Sequence, residues 1–167
     1  MNCEIRAWRL DDAEGLARLL NDKKILDNLR DGLPYPYTAD DARDYITAML
    51  GADKNSVFAF AVVYGVEVVG SIGIFRQSNI HFKTAELGYY IGEEFWNKGI
   101  ATAAVKLACG YVFENSDIIR ICAEPFARNK ASCRVLEKAG FEFEGVLRAN
   151  AVKNGVVEDM KMYAIIK

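Results

Sequence analysis

The sequence lacks the features that mark membrane-spanning, secreted and metal-binding proteins. It has no apolar run approaching the roughly 18 residues that a membrane span needs, and no basic segment followed by an apolar one at its start. Its four cysteines lie within apolar patterns and do not have the spacing of metal ligands. We therefore expect reduced cysteines, no bound metal and a cytoplasmic location.

Strong charge of either sign is also missing. Lys and Arg total 21 against 23 Asp and Glu, which gives a formal net charge of −2. This balance argues against a broad electrostatic interaction with nucleic acid or with an anionic membrane surface. The single histidine, His81, lies in a polar stretch, so we expect an exposed side chain rather than a catalytic one.

The composition is instead typical of one globular α/β domain. The chain has 167 residues, 51% of them hydrophobic, and no repeat or linker divides it, so we expect a single domain over residues 1–167. Strand and helix patterns alternate and predict a mixed, mostly antiparallel sheet, with Asp11 as the N-cap of the first helix. Strands are predicted at residues 3–8, 57–64, 66–75, 89–91, 118–124, 141–147 and 156–166, and helices begin near Asp11, Ile25, Thr38, Asn97 and Asn129.

A strand, a turn and a helix around Gly99 give the strongest local signal of a binding site. Residues 89–91 suit a strand, and small, helix-compatible residues follow from Asn97. Free N–H groups and the positive end of the helix dipole favour an anion, Lys98 adds a formal charge, and Gly99 lets a ligand approach the backbone. The stretch therefore predicts a pyrophosphate cradle, although a tight turn without any ligand fits the spacing equally well.

Two segments of the chain, in this order, resemble the GCN5-related N-acetyltransferase (GNAT) family. FWNKGIAT (residues 95–102) resembles the acetyl-CoA pyrophosphate loop of that family, and NKASCRVLEKAGF (129–141) resembles its second CoA-binding segment. IRAWRLDD (5–12) and FEGVLR (143–148) resemble the branch that contains the ribosomal-protein N-terminal (alanine/serine) acetyltransferases. The resemblance covers the whole chain. It implies the fold of that family, with a sheet splayed at its central strand and helices on both faces.

The resemblance assigns contacts with acetyl-CoA to particular positions. It implies that the backbone of Tyr90 and Ile91 pairs with the pantetheine arm, and that an N–H near Ile91 is the oxyanion donor. It also implies that Asn129 bonds the pantetheine amide and that Ser132 lies near the sulfur. The pyrophosphate would be held by the backbone amides of Lys98, Gly99, Ile100, Ala101 and Thr102.

The chain departs from the family at the position of the general acid. Many members carry a tyrosine that protonates the leaving thiolate, and the matching residue here is Leu136. Ser132 is then the nearest candidate for this catalytic role, unless the reaction uses no general acid. Trp96 and Ala101 also differ from the common residues, and both changes look tolerable because the loop binds through its backbone.

The acceptor end of the site is less clearly marked. Only a neutral amine attacks a thioester, and Glu86, upstream of the oxyanion position, is the candidate catalytic base, acting through water. The alternative is that Glu86 is a solvated or salt-bridged strand residue. Tyr35 and Tyr37, in a proline-containing loop, are candidates for substrate contact, with simple packing as the alternative.

The sequence thus predicts an acetyl-CoA-dependent N-acetyltransferase. The enzyme would move the acetyl group to a primary amine, on a protein N-terminus or a small molecule, by direct attack on the thioester. The alternative is a catalytically idle acyl-CoA-binding or interaction module on the same fold. Neither hypothesis involves a metal, nucleic acid or a membrane, and we expect a monomer or a homodimer.

Overall fold

The computed structural model of the protein describes residues 2–167. Each predicted strand and helix is present, although the ends of several differ from the prediction. No helix among the described residues combines the length and the apolar character needed to cross a membrane. The elements in chain order are β1 (Cys3–Arg6), α1 (Ala13–Leu20), α2 (Lys23–Leu26), α3 (Ala39–Gly51), β2 (Val57–Tyr64), β3 (Glu67–Arg76), β4 (Thr84–Ile91), α4 (Ile100–Asn115), β5 (Arg120–Ala123), α5 (Lys130–Ala139), β6 (Glu142–Lys153) and β7 (Val156–Ile166).

The seven strands form one mixed sheet with a parallel contact at its centre. Their order is β1-β2-β3-β4-β5-β7-β6, and every neighbouring pair is antiparallel except β4 with β5. β4 and β5 pair over only three residues each, ending where Glu86 lies opposite Cys122. β4 continues to Ile91, while β5 ends at Ala123, just before Pro125, which has no N–H to extend the ladder. The two central strands therefore part, as the predicted splay requires.

Helices cover both faces of the sheet, and each face has its own core. Against one face, the cluster that contains α4 and α5 buries Ile72, Ile121 and Leu136 completely. On the other face, α1 and α3 form a smaller cluster that includes Leu16 and Ile46. Truncation of one such side chain to alanine typically lowers the free energy of unfolding by about 2–5 kcal/mol. The two clusters therefore hold the central strands from both sides while leaving the gap between β4 and β5 free.

The residues of β4 alternate between two hydrogen-bonding directions. The N–H of Gly92 donates to the carbonyl of Val69 at 2.8 Å, which continues the register of β4 with β3. Opposed residues of an antiparallel pair alternate between bonded and non-bonded positions. Because Gly92 bonds β3, Tyr90 does so too. The backbone N–H and C=O groups of Tyr89 and Ile91 therefore point away from β3 and toward the gap.

The start of α1 differs from the prediction, and Asp11 as its N-cap is wrong. A 3₁₀ turn (Leu10–Asp12) precedes α1, and Asp12 accepts a hydrogen bond from the N–H of Arg9 at 2.8 Å. Arg6 donates two further hydrogen bonds to the same carboxylate, at 2.8 and 2.9 Å. Asp12, the N-cap residue of α1, therefore bonds Arg6 of β1 with its side chain and makes no side-chain cap to α1. The neighbouring sequence carries no signal of that contact.

Candidate active site

A cavity of about 880 Å³ occupies the gap between β4 and β5. Residues 87–91 line one side of it, and Ala123, Glu124 and Pro125 line the other. The first turns of α4 and α5, the end of β3, α2 and the segment that follows α2 also contribute to the lining. The cavity thus lies where the parted strands leave backbone polar groups without a neighbouring strand.

The turn before α4 leaves a group of backbone N–H donors free. Asn97 and Gly99 have positive φ angles of 60° and 74°, and α4 begins at Ile100 without a side-chain cap. The N–H groups of a first helical turn have no acceptor within the helix. Residues 99–102 line the cavity, so these donors and the positive end of the helix dipole face the same space. This geometry fits the predicted anion cradle.

Trp96 and Lys98 flank that turn, and neither directs its polar group into the cavity. The indole N–H of Trp96 donates to the carbonyl of Ile91 at 2.7 Å and so fixes the end of β4. The ammonium of Lys98 lies 5.1 Å from the centre of the Phe95 ring, and Lys98 is not part of the cavity lining. Lys98 is therefore the one residue of the predicted cradle that does not line the cavity. Trp96, a departure from the family pattern, has a structural role instead.

The backbone of β4 presents Tyr89 and Ile91 to the cavity. The N–H of Ile91, the predicted oxyanion donor, points into the gap, while its carbonyl is occupied by Trp96. The prediction for Tyr90 needs correction. Tyr90 lines the cavity, but it lies opposite Ser71 in the bonded register, so its backbone groups belong to the sheet. Tyr89 takes the place that the sequence assigned to Tyr90, because the register with β3 decides which residue faces the gap.

Asn129 and Ser132 meet at the start of α5, and both line the cavity. The Oδ1 atom of Asn129 accepts a hydrogen bond from the backbone N–H of Ser132 at 3.1 Å and so caps the helix. Since the cap uses this oxygen, the side-chain NH₂ of Asn129 is the group that it can offer to a ligand. The structure therefore brings the two predicted residues together beside the gap.

The hydroxyls of Ser132 and Tyr89 lie 2.8 Å apart and form a hydrogen bond. Burial raises the pKa of Tyr89 to about 12, so its hydroxyl keeps its proton at neutral pH. Leu136, which replaces the family's usual tyrosine, is fully buried and has no proton to give. Tyr89 was not among the site residues predicted from the sequence. The alternation of side chains along β4 could have identified it, because this alternation places Tyr89 on the same face as Ile91, toward α5.

Two carboxylates, Glu86 and Glu124, line the cavity on its opposite walls. Glu86, the predicted base, is ion-paired with Arg30, which is the salt-bridged alternative that the sequence left open. Glu124 has no hydrogen-bond or ion-pair partner among residues 2–167. Burial, followed by the negative charge of Glu86, raises its pKa above the ordinary value for glutamate. The sequence analysis did not identify Glu124, because no local pattern shows that β5 ends against open space.

Comparison with known families shows the family to which the chain belongs. A family model described as an acetyltransferase (GNAT) domain matches residues 2–142. The chain belongs to the GNAT family. It is an acetyl-CoA-dependent N-acetyltransferase that transfers the acetyl group to an amine, which confirms the predicted activity. The opened, mixed sheet with helices on both faces confirms the predicted fold.

Relatives of this GNAT enzyme share most of its length. YjcK of Bacillus subtilis (strain 168), named as a probable N-acetyltransferase, is 36% identical over 133 residues, which cover 78% of this chain and 74% of YjcK. YdaF of the same organism, whose name assigns it provisionally to the ribosomal N-acetyltransferases, is 32% identical over 167 residues. The match covers 98% of this chain and 90% of YdaF. The ribosomal-protein-S5-alanine acetyltransferase from Vibrio fischeri shares the fold, with a TM-score of 0.88 at 23% identity. The match covers 99% of this chain and 93% of the Vibrio fischeri chain.

The loop predicted to contact the acceptor does not reach the GNAT cavity. Tyr37 is only 4% exposed and packs in the cluster around α1 and α3, where its hydroxyl donates to the carbonyl of Asp41 at 3.4 Å. Tyr35 is 59% exposed and lies outside the cavity lining. The prediction that these two side chains contact substrate is therefore corrected, and residues 28–30 line the cavity instead.

The segment at residues 27–31 is bonded to elements that lie far away in the sequence. Arg128, which precedes α5, donates to the carbonyl of Asp27 at 2.6 Å. Lys153, at the end of β6, is only 9% exposed and forms an ion pair with Asp31 at 2.7 Å. These contacts hold the segment as a wall of the cavity. They also bring Arg30 to Glu86.

We expect Gly99→Ala to weaken acetyl-CoA binding, because the added methyl group intrudes where a ligand approaches the first turn of α4. Gly140→Ala is a matched control, since Gly140 also has a positive φ angle (99°) and lies outside the cavity. Alanine at a positive φ angle should lower the stability of either variant by a similar amount, about 1 kcal/mol. Calorimetric titration should give a Kd about tenfold higher for Gly99→Ala only. Equal affinity in both variants would contradict the cradle.

Proposed function

We propose that this GNAT enzyme acetylates the free α-amino group of a protein or peptide N-terminus. The observation that carries the proposal is the charge distribution at the acceptor end of the cavity. Glu124 is the unpaired carboxylate there, while Lys24, Arg30 and Arg76 line the same space and are already ion-paired. A single cationic amine fits this arrangement. A polyamine would bring its further ammonium groups against the basic side chains.

The chemistry of the α-amino group supports the same proposal. Its pKa is about 7.7–8.0, against about 10.4 for a lysine side chain. At pH 7 roughly 10% of α-amino groups are neutral, compared with roughly 0.04% of lysines. The free energy needed to form the neutral amine is therefore about 3.4 kcal/mol higher for a lysine. One carboxylate base is therefore enough to supply the neutral form of an α-amino group. The names of YdaF and of the Vibrio fischeri enzyme point to ribosomal proteins as their acceptors, which makes a protein N-terminus the favoured class here.

We infer that acetyl-CoA binds along β4 as an added strand would. The backbone groups of Tyr89 and the N–H of Ile91 face the gap, and the Ile91 N–H is placed to donate to the thioester carbonyl. The side-chain NH₂ of Asn129 would donate to a pantetheine carbonyl. The pyrophosphate would be held by the backbone N–H groups of residues 98–102.

The proposed reaction uses these groups in sequence. The neutral amine attacks the thioester carbon, a C–N bond forms, and the N–H of Ile91 stabilises the negative charge on the oxygen. The proton of the amine passes to a carboxylate at the acceptor end, which is Glu86 in the assignment made from the sequence. When the C–S bond breaks, the CoA thiolate takes a proton from Ser132, and Tyr89 resupplies it through their hydrogen bond. The carboxylate then releases the amine proton to water, and water returns one proton to Tyr89, so that every group regains its starting state.

A cytoplasmic location is part of this proposal. All four cysteines are free thiols, which is typical of a reducing compartment. The expectation of a monomer or a homodimer stays a prediction.

Release of free thiol from acetyl-CoA tests the proposed acceptor class. The panel consists of peptides with free N-termini, the same peptides with blocked N-termini and one internal lysine, and polyamines. We expect release only with the free N-termini, because a far larger fraction of their amines is neutral at pH 7 than of lysine or polyamine amines. Release with polyamines but not with peptides, or no release with any acceptor, would overturn the proposal.

The hydroxyl pair gives a second prediction. Ser132→Ala should lower kcat roughly 10- to 100-fold, at or below the lower end of general-acid effects, because a thiol with a pKa near 8.5 is already a fair leaving group. Tyr89→Phe should lower kcat less and keep the ring packing, and Tyr111→Phe, at an exposed position on α4, is the matched control. Acetyl-CoA Kd values should stay unchanged in all three variants. Wild-type kcat for Ser132→Ala would remove this residue from the mechanism.

A further inference from the structure

Arg128 lies next to the residue of α5 that is assigned to acetyl-CoA. It directly precedes Asn129, the N-cap of α5, and its carbonyl accepts a hydrogen bond from the N–H of Lys130 at 2.9 Å. The N–H of Asn129 in turn donates to the carbonyl of Phe126 at 2.9 Å. Residues 126–130 therefore form one hydrogen-bonded turn, so a ligand that fixes Asn129 also fixes the start of the Arg128 side chain.

The guanidinium of Arg128 is anchored to the sheet on its own side of the cavity. Its Nε atom donates at 2.8 Å to the carboxylate of Glu158 in β7, a side chain that is only 17% exposed. Its central carbon lies 4.7 Å from the centre of the Phe126 ring, and Phe126 is bridged to Met160 of β7. This anchor leaves the two terminal nitrogens free to bond the segment at residues 27–31, called the wall segment below.

Both terminal nitrogens of Arg128 bond the wall segment. Nη1 donates to Oδ1 of Asn28 at 2.7 Å, and Nη2 donates to the carbonyl of Asp27 at 2.6 Å. Asn28 lines the cavity, and Arg30, two residues further on, is ion-paired with Glu86. A planar guanidinium holds two acceptors in fixed directions, which the single nitrogen of a lysine cannot do. Arg128 therefore sets where this wall of the cavity lies.

The other contacts that fasten the wall segment across the cavity are also polar. Lys153 is ion-paired with Asp31 at 2.7 Å, and the side-chain NH₂ of Asn154 donates to the carboxylate of Asp27 at 3.0 Å. Leu29 attaches the segment to the apolar cluster around α1 and α3. Exposed ion pairs and hydrogen bonds are individually weak, because water competes for the same groups. The order of the wall segment therefore depends on whether its partners are already in place.

We propose that Arg128 is a positioning residue that couples the acetyl-CoA site to the wall segment. A ligand amide bonded to the NH₂ of Asn129 would hold the turn at residues 126–130. The guanidinium of Arg128 would then hold Asp27 and Asn28 from a fixed position. The inference rests on the proposed placement of acetyl-CoA at Asn129. An acceptor amine would accordingly meet a wall that is already ordered, and its binding would not have to supply that order.

Direct contact between the bound ligand and the wall segment is the competing explanation for such coupling. Residues 28–30 line the same cavity as Asn129, so a ligand could order them without help from Arg128. Arg128 itself does not line the cavity. Its substitution therefore removes the proposed connection and leaves the ligand's own contacts intact.

Amide hydrogen exchange of the wall segment measures the coupling without any acceptor. The N–H groups of Asn28 and Leu29 donate to the carbonyls of Ile25 and Leu26 at 3.0 and 3.1 Å, so their exchange reports opening of the segment. The probe is CoA, which has no acetyl group to transfer. We expect CoA to slow both rates about fivefold or more in the wild-type enzyme, the lower end of typical coupling between sites. In Arg128→Lys, which keeps the charge, CoA should leave both rates unchanged.

Two further variants separate this role from a general loss of stability. Arg120→Lys is the matched control, because Arg120 holds Glu144 through two nitrogens, at 2.8 and 2.6 Å, outside the cavity lining. It should keep the full effect of CoA. Asn28→Ala removes the acceptor of Nη1 while Arg128 stays in place, and it should reduce the effect of CoA at Leu29.

Steady-state kinetics give a second readout, with the amine that the wild-type enzyme acetylates fastest as acceptor. Arg128→Lys should raise the acceptor KM about tenfold, which corresponds to 1.4 kcal/mol of lost binding. It should leave kcat nearly unchanged, because saturating acceptor holds the wall segment in place. A loss of folded enzyme would instead lower kcat and leave KM as it was.

Slower exchange with CoA in the wild type and in Arg120→Lys but not in Arg128→Lys, together with the raised acceptor KM, supports the proposal. Equal slowing in Arg128→Lys would assign the coupling to direct contact and overturn it. No slowing in the wild type while calorimetry shows that CoA is bound, or a lower kcat with an unchanged KM, would overturn it as well. The proposed acceptor class fails separately, in the thiol-release panel, because the exchange measurement needs no acceptor.

Discussion

The parting of β4 from β5 is the constraint on which the rest of the site depends. Pairing stops after Glu86 and Cys122, and Pro125 has no N–H with which to continue it. The backbone groups of Tyr89 and Ile91 would bond a neighbouring strand in a continuous sheet, and here they face a cavity instead. Unpaired backbone polar groups need partners. In the proposed complex, a ligand with amide groups along an extended arm would bond the groups of Tyr89 and the N–H of Ile91, so that binding the substrate would also complete the sheet.

The gap also divides the chemistry between the two faces of the sheet. Toward α5, the hydroxyls of Tyr89 and Ser132 hold a proton beside the expected position of the sulfur. On the other face, Glu124 and Gly88 line the cavity. In the proposed mechanism, β4 would supply the oxyanion donor in its own plane, with the hydroxyl pair on one face and the carboxylates on the other. The first turn of α4 adds an anion site at the same cavity.

The parts of this site that could be predicted from the sequence are those encoded by neighbouring residues. α5 begins next to Asn129, as predicted, because the start of a helix depends on a cap that needs only the next turn of the chain. Contacts between distant segments could not be predicted, such as that of Arg30 with Glu86, 56 residues away. The wrong assignment of the gap-facing position to Tyr90, where the structure has Tyr89, has the same origin. Which of them faces the gap depends on the register with β3, and a shift of one residue would swap their roles.

Amide hydrogen exchange along β4, with and without acetyl-CoA, tests the central claim most directly. In the free enzyme the N–H of Tyr90 should be protected by its bond to β3, whereas the N–H groups of Tyr89 and Ile91 should exchange faster because they face the cavity. Acetyl-CoA without acceptor should slow exchange at Tyr89 and Ile91 and leave Tyr90 as it was. New protection at Tyr90, or no change at Ile91, would contradict this account of how the strand binds its substrate.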